Sequence, residues 1–206
     1  MAQITNGVRA LLSHPLVYTA FQALMGPRSV RSNFVADFVR PEPGMHVLDI
    51  GCGPADILDY LPSVDYRGFD ISEAYIDHAR KTFGTRGNFT CKHLETADLA
   101  LLPRFDVVLA LGLIHHLDDA EAVAVMRLAR AALKPGGRLI TMDPVIDPKQ
   151  SKVARFLVRR DRGQNVRDKA GYETIASAIF PPPRIEVRHQ TWIPYTHCMM
   201  ECTESS

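Results

Sequence analysis

Three short stretches hold the residues best suited to chemistry, each at the end of an apolar run. In the first, Met45 to Ile50 runs into Gly51-Cys52-Gly53-Pro54-Ala55-Asp56. Asp49 stands at the end of that run, where a carboxylate can accept from a cationic or hydroxyl-bearing ligand. Gly51 and Gly53 have no Cβ, so the turn can be tight and a ligand can touch the backbone. The amides opening the next helical pattern, Asp56 to Leu61, face the same place and suit a carboxylate or phosphate. The second stretch is Tyr66 to Asp70, whose terminal acid lies 21 residues after Asp49. An acid there hydrogen-bonds a ribose diol in nucleotide-binding α/β folds. In the third, Phe105 to Leu111 is followed by Gly112-Leu113-Ile114-His115-His116, which puts two imidazoles, candidate general bases, at a strand end.

Elements that alternate strand and helix must position these groups. Strands are expected at 45–50, 66–70, 88–93, 105–111, 138–142, 184–192 and 196–202. Ser72 caps a helix from Glu73 to Phe83 that Gly84 stops. Asp118-Asp119 caps another, Ala120 to Leu133, that Lys134-Pro135-Gly136-Gly137 ends. A further helix runs from Gly171 to Phe180, before three prolines. The fold class this predicts is α/β: a Rossmann-like, doubly wound, seven-stranded, mostly parallel sheet. Its last two strands, joined at Ile193-Pro194-Tyr195, are antiparallel because so few residues connect them. Ligands of such sheets bind beyond the carboxyl ends of the strands.

Residues 1–44 precede the sheet. Leu16, Val17, Ala20, Phe21, Leu24 and Met25 make one helical stripe, ended by Gly26-Pro27, and a second helix runs from about Ser29 to Val39. Both are expected as lid helices over the sheet's carboxyl edge, with Tyr18, Phe21, Met25 and Arg28 lining a substrate cavity. The cofactor-binding core is 45–144, a lid or helical segment follows at 145–183, and the terminal strands occupy 184–206. In the helical segment Val153, Phe156 and Leu157 give a short helix one apolar side. The basic run around it has two open readings: a solvated helix face, or Arg159, Arg160 or Arg162 meeting an anionic substrate. Asp143, ending the fifth strand, is expected to border the substrate.

A chain of 206 residues suffices for one domain of this kind. Its net charge of +1 gives no electrostatic case for nucleic acid or a membrane surface. Cys52, Cys91, Cys198 and Cys202 lack metal-binding spacing and read as reduced residues of a cytoplasmic protein. Val8 to Met25 is too polar and too interrupted to span a bilayer.

The Asp49-to-Gly53 stretch resembles the first motif of class I S-adenosylmethionine-dependent methyltransferases, with Ala55 at the third glycine. Phe105 to Leu117 followed by Leu133 to Ile140 carries the likeness furthest, toward the ubiquinone- and menaquinone-biosynthesis type. The resemblance implies S-adenosylmethionine as cofactor and a small-molecule acceptor, with no nucleic acid as substrate. It places cofactor contacts on Asp49, Gly51, Gly53, Asp70, Ile71, Leu94 and the Leu111-Gly112-Leu113 backbone. Asp49 would take the ammonium, the glycine loop the carboxylate and ribose, Asp70 the ribose hydroxyls and Ile71 an adenine face. The family's usual Gly-Asp pair is replaced by Lys92-His93-Leu94-Glu95, which leaves open whether Glu95 or His93 serves the adenine. Catalysis is then mainly alignment for in-line displacement, with His115 or His116 as base and no metal. Two alternatives stand beside this. A nicotinamide-dependent oxidoreductase would want Gly or Ala where Asp56 is, and a non-catalytic regulator would bind the same cofactor without chemistry.

Overall fold

A computed structural model describes residues 28–159, 165–190 and 195–205. Seven strands form one sheet: β1 (His46–Ile50), β2 (Asp65–Asp70), β3 (Gly87–Cys91), β4 (Phe105–Leu111), β5 (Leu133–Pro144), β6 (Arg184–Gln190) and β7 (Tyr195–Thr203). Their order is β3-β2-β1-β4-β5-β7-β6. The first five pair in parallel, and β7 lies antiparallel between β5 and β6, as expected. Parallel pairing brings the carboxyl ends of β1, β2, β4 and β5 to a single edge, and with them the three stretches singled out in the sequence.

Alternation along the strands sorts the core into two layers. Leu48, Val108, Ala110 and Leu139 face one side and Val47, Val107, Leu109 and Ile140 the other. In β4, Val107 through Ala110 are all fully buried, which is why that run reads as continuously apolar. The first layer is covered by Ala122, Met126 and Ala129 of the helix Asp119–Ala132 and by Tyr172, Ile175 and Ala176 of Lys169–Ser177. The second is covered by Ile76, Ala79 and Phe83 of Glu73–Phe83, together with Phe34, Phe38 and Val39. Among the described residues the α-helices, in chain order, are α1 (Arg28–Phe34), α2 (Glu73–Phe83), α3 (Asp119–Ala132), α4 (Lys152–Arg159) and α5 (Lys169–Ser177).

Caps fall where the side chains predict. Ser72 accepts from the Tyr75 amide, and Asp118 and Glu121 exchange hydrogen bonds in a capping box. Other expectations need correcting. The stretch expected as a second lid helix, α1 and its π-helical continuation Val35–Val39, lies along a sheet face instead. Phe34, Val35, Phe38 and Val39 form a stripe too apolar to leave in solvent. Its first turn reaches the carboxyl edge, where Arg31 lies 3.8 Å from Asp56, and its end is held at the amino edge by Arg138, which donates to the Phe38 and Val39 carbonyls. On α4 the buried positions are Ala154 and Val158, while Val153 and Phe156 are exposed. Lys134 to Gly137 belongs to β5, entered through a register shift against β4. No helix among the described residues is long and apolar enough to cross a membrane.

Candidate active site

β1 delivers Asp49 one residue short of the strand's end, where it is only 2% exposed. Tyr66 of β2 donates its hydroxyl to Asp49 Oδ2 at 2.6 Å. Asp49 Oδ1 is buried and has no hydrogen-bond partner. Burial pushes the Asp49 carboxyl up to about 7; the Tyr66 hydrogen bond opposes the rise and the nearby Asp70 adds to it. Burial first, then the Asp49 charge, raise the Tyr66 phenol well above its usual range.

The chain leaves β1 through a left-handed loop, with φ of 72° at Gly51, 53° at Gly53 and 60° at Ala55. The amides of Gly51 and Cys52 donate to the Phe69 carbonyl at 2.8 and 3.0 Å, which folds the loop onto the end of β2. Asp70 ties two loops together: Oδ2 accepts from the Gly53 amide at 2.9 Å and Oδ1 from the Ser72 amide at 2.8 Å. A Cβ on Gly51 would stand 3.1 Å from Leu113 Cδ1, whereas one on Gly53 would meet nothing within 4 Å. Leu113 thus backs the loop while its front at Gly53 is open. The expected anion-binding helix start is not built. Asp56–Tyr60 is a five-residue 3-10 turn that carries Asp56 and Asp59 in its first turn.

Beyond β4, Gly112 has φ of 67° and its amide donates to the Met142 carbonyl of β5. The short turn Ile114–His116 follows. His115 Nδ1 lies 2.8 Å from Asp143 Oδ1, and the same oxygen accepts from the His115 amide at 3.1 Å. Both contacts run to one carboxylate oxygen, so Asp143 sets the orientation of the His115 ring. The His116 ring is exposed, its centroid 4.0 Å from that of His115. Arg167 secures this turn, donating to the carbonyls of Ile114, Leu117 and Asn165 and to Asp119. The Asn165 amide in turn donates to the His115 carbonyl. The Tyr172 hydroxyl fixes the end of β5 by donating to the Pro144 carbonyl.

Asp49, Gly51, Gly53, Asp70, Gly112, Leu113, His115 and Asp143 therefore come together, and Leu111 ends the strand that Gly112, Leu113 and His115 follow. Ile71 stands at the rim, 58% exposed. The Leu94 side chain is buried in the core. Glu95 accepts from the Asp98 amide in a capping box, and His93 is exposed. Tyr18, Phe21, Met25 and Arg160 lie outside the described residues, and Arg28 is described only as the first residue of α1. Tyr66 and Arg167 were not singled out from the sequence as site residues. Tyr66 faces Asp49 only because β2 pairs with β1 in the register Val47 to Tyr66. A cleft of about 550 Å³ among Arg40, Pro181, Arg184 and Glu201 opens at the opposite, amino edge.

These residues fit a sulfonium nucleoside. The unpartnered Asp49 oxygen suits a cation, the front of Gly53 admits close approach, and exposed Ile71 offers an apolar face.

Residues 48–139 match a model of the methyltransferase domain family. The chain is similar to the O-methyltransferase cnsE of Penicillium expansum, with 32% identity over 153 residues that cover 66% of this chain and 54% of that protein. It is also 32% identical over 103 residues to a ubiquinone biosynthesis O-methyltransferase of Coxiella burnetii, covering 47% of this chain and 42% of that one. The chain thus spans about half the length of the curated relatives it matches. Among solved structures, a Haemonchus contortus phosphoethanolamine N-methyltransferase with bound S-adenosylhomocysteine superposes with a TM-score of 0.72 at 14% identity, over 96% of this chain and 59% of that one. That likeness is one of fold. The matched domain, the curated relatives and the strand order agree: residues 48–139 carry a methyltransferase domain, and the chain is similar to class I S-adenosylmethionine-dependent methyltransferases.

Proposed function

We propose that the chain transfers a methyl group from S-adenosylmethionine to an oxygen of a small-molecule acceptor. The observation that carries the reading is the open glycine loop set between Asp49, with its unpartnered buried oxygen, and Asp70. The bound cofactor would supply an electrophilic methyl carbon on a positively charged sulfur. Asp49 would meet the cationic methionine end, Gly51 and Gly53 would present backbone, and Asp70 would take the ribose hydroxyls. Ile71 and the Leu94 segment would cover the adenine, and Leu111, Gly112 and Leu113 would close the crevice from β4. Alignment of donor and acceptor accounts for most of the rate.

Oxygen is favoured over nitrogen by His115. A hydroxyl must lose its proton as it is methylated, and His115, oriented through Nδ1 by Asp143, would take it. The names of the curated relatives support the same choice. His116, Asp143, Tyr18, Phe21, Met25, Arg28 and Arg160 stand as the proposed acceptor side, where an arginine would suit an anionic substrate. Against a nicotinamide reading stand β7, antiparallel beside β5, and the methyltransferase domain matched by residues 48–139.

Titration calorimetry tests the cofactor, and transfer of a labelled methyl group to a panel of phenols, catechols and carboxylic acids tests the reaction. Micromolar binding of S-adenosylhomocysteine, none of NAD, and label in a phenolic product are expected. Tight binding with no transfer to any acceptor would favour a regulator instead.

A further inference from the structure

A buried carboxylate with one oxygen bonded and the other bare is an unfinished polar site. Asp49 is such a group: Tyr66 holds Oδ2 and nothing holds Oδ1. Among the described residues, the groups that act on it bring no counter-charge. From β2 come Tyr66 and Asp70, from the glycine loop Cys52, and from the following turn Asp56. Cys52 stays a thiol, since burial and then Asp49 push its pKa up. Arg31 of α1 lies 3.8 Å from Asp56, whose charge His78 also faces. An isolated carboxylate in such a place holds its proton until a cation arrives.

We propose that Tyr66 is a positioning residue of the cofactor site: its hydroxyl pins Asp49 Oδ2, leaving Oδ1 for the cofactor's cationic end, and Asp49 releases its proton as the cofactor binds. The inference rests on the methyl-donor reading above. The step balances simply. The carboxylic acid becomes a carboxylate paired with the ligand's ammonium, and the proton passes to solvent. Tyr66 has a second effect, because its hydrogen bond stabilises the carboxylate and keeps the exchange within reach of neutral pH.

The test is calorimetry of S-adenosylhomocysteine binding to the full chain, in two buffers of different ionisation enthalpy, from pH 5.5 to 8. With the Asp49 carboxyl at about 7, about 0.9 proton should leave per ligand at pH 6 and about 0.1 at pH 8. Below neutrality the affinity should fall toward about tenfold per pH unit. Asp49→Asn should bind weakly and without pH dependence. Tyr66→Phe should move the midpoint of the affinity profile to higher pH, whereas a purely architectural tyrosine would weaken binding equally at every pH. Binding of unaltered protein with no proton release, or a midpoint unmoved by Tyr66→Phe, overturns the proposal. The proton count on unaltered protein decides even where that variant fails to fold. Absence of any binding from pH 5.5 to 8 would instead sink the methyl-donor reading itself.

Discussion

One oxygen of Asp143 holds His115 twice, through the backbone amide at 3.1 Å and through ring Nδ1 at 2.8 Å. Ring and turn are therefore oriented together, and both residues are nearly sealed from water, at 5% and 1% exposure. Asp143→Asn keeps the shape and removes the charge that fixes the tautomer. Methyl transfer should drop about 10²-fold or more, the usual range for a lost general base. S-adenosylhomocysteine affinity should change less than about threefold, since Asp143 is not a cofactor contact in this reading. A labelled-methyl assay beside calorimetry separates the two. Equal losses in both would place Asp143 in the architecture of the cofactor site rather than in catalysis.

Asp70→Ala should weaken S-adenosylhomocysteine binding about 10- to 100-fold, the worth of one or two hydrogen bonds to a charged group. It should also cost about 1–2 kcal/mol of stability, because the Gly53 and Ser72 amides lose their shared acceptor. Asp70→Asn retains an oxygen for one of those amides and should recover part of the stability but little of the binding. An unchanged dissociation constant in both variants would remove Asp70 from the cofactor site.

Such strand-end acids and glycines were legible in the sequence because local pattern alone places them. An apolar run sets the strand, and the residue after it must lie at the sheet's edge. Parallel pairing then brings distant stretches together, so Asp49, Asp70 and Gly112 could be assigned to one crevice without coordinates. Tyr66 was not legible in that way. Its bond to Asp49 depends on register and on which face each residue takes. Arg167 was hidden for another reason: within a basic run a guanidinium looks solvated, and only the fold shows the carbonyls of Ile114 and Leu117 aimed at it. The π-helical end of α1 went unread because its stripe fits an ordinary amphipathic helix, whether that helix serves as a lid or packs on a sheet face.

Arg167 carries a prediction of its own. Its Nη atoms satisfy the carbonyls of Ile114, Leu117 and Asn165, and its bond to exposed Asp119 adds little by comparison. Arg167→Ala leaves partly buried carbonyls unpaired, at a cost of about 2–3 kcal/mol. Lysine cannot reproduce the planar fork, so Arg167→Lys should recover less than half of that loss. Urea denaturation gives the stability. Hydrogen exchange at the His116 and Leu117 amides should speed up in both variants, while exchange in β1 and β2 stays as it was. Unaltered exchange in that turn would show that Asp143 alone suffices to hold it.

Asp49 makes stability depend on pH in a direction unusual for a carboxylate. Its carboxyl rises from 3.8 to about 7 on folding, chiefly through burial. Between those values the unfolded chain has lost a proton that the folded chain keeps, so raising the pH through that window favours unfolding. The full penalty, present above pH 7, is on the order of 4 kcal/mol. Asp49→Asn abolishes it. Its stability relative to the unaltered chain should improve by roughly 2–3 kcal/mol between pH 5 and pH 8. Denaturation curves at the two pH values read this difference, in which any constant cost of the buried amide cancels. A difference of zero would mean that Asp49 is ionised throughout in the folded protein.

Gly51 and Gly53 distinguish the demands of the fold from those of a ligand. Alanine at Gly51 meets Leu113 Cδ1 at 3.1 Å and must hold φ of 72°, so Gly51→Ala should destabilise the protein by about 2 kcal/mol and weaken binding as a consequence. At Gly53 the backbone cost is similar in kind, about 1 kcal/mol, but no protein atom stands within 4 Å of the new methyl group. Only a ligand lying against that backbone would feel it. Gly53→Ala should therefore keep a melting temperature within about 5 °C of the parent while losing more than about tenfold in S-adenosylhomocysteine affinity. If Gly53→Ala binds as tightly as the parent, the ligand does not touch the front of the loop, and the crevice has to be sought on the Gly112 side instead.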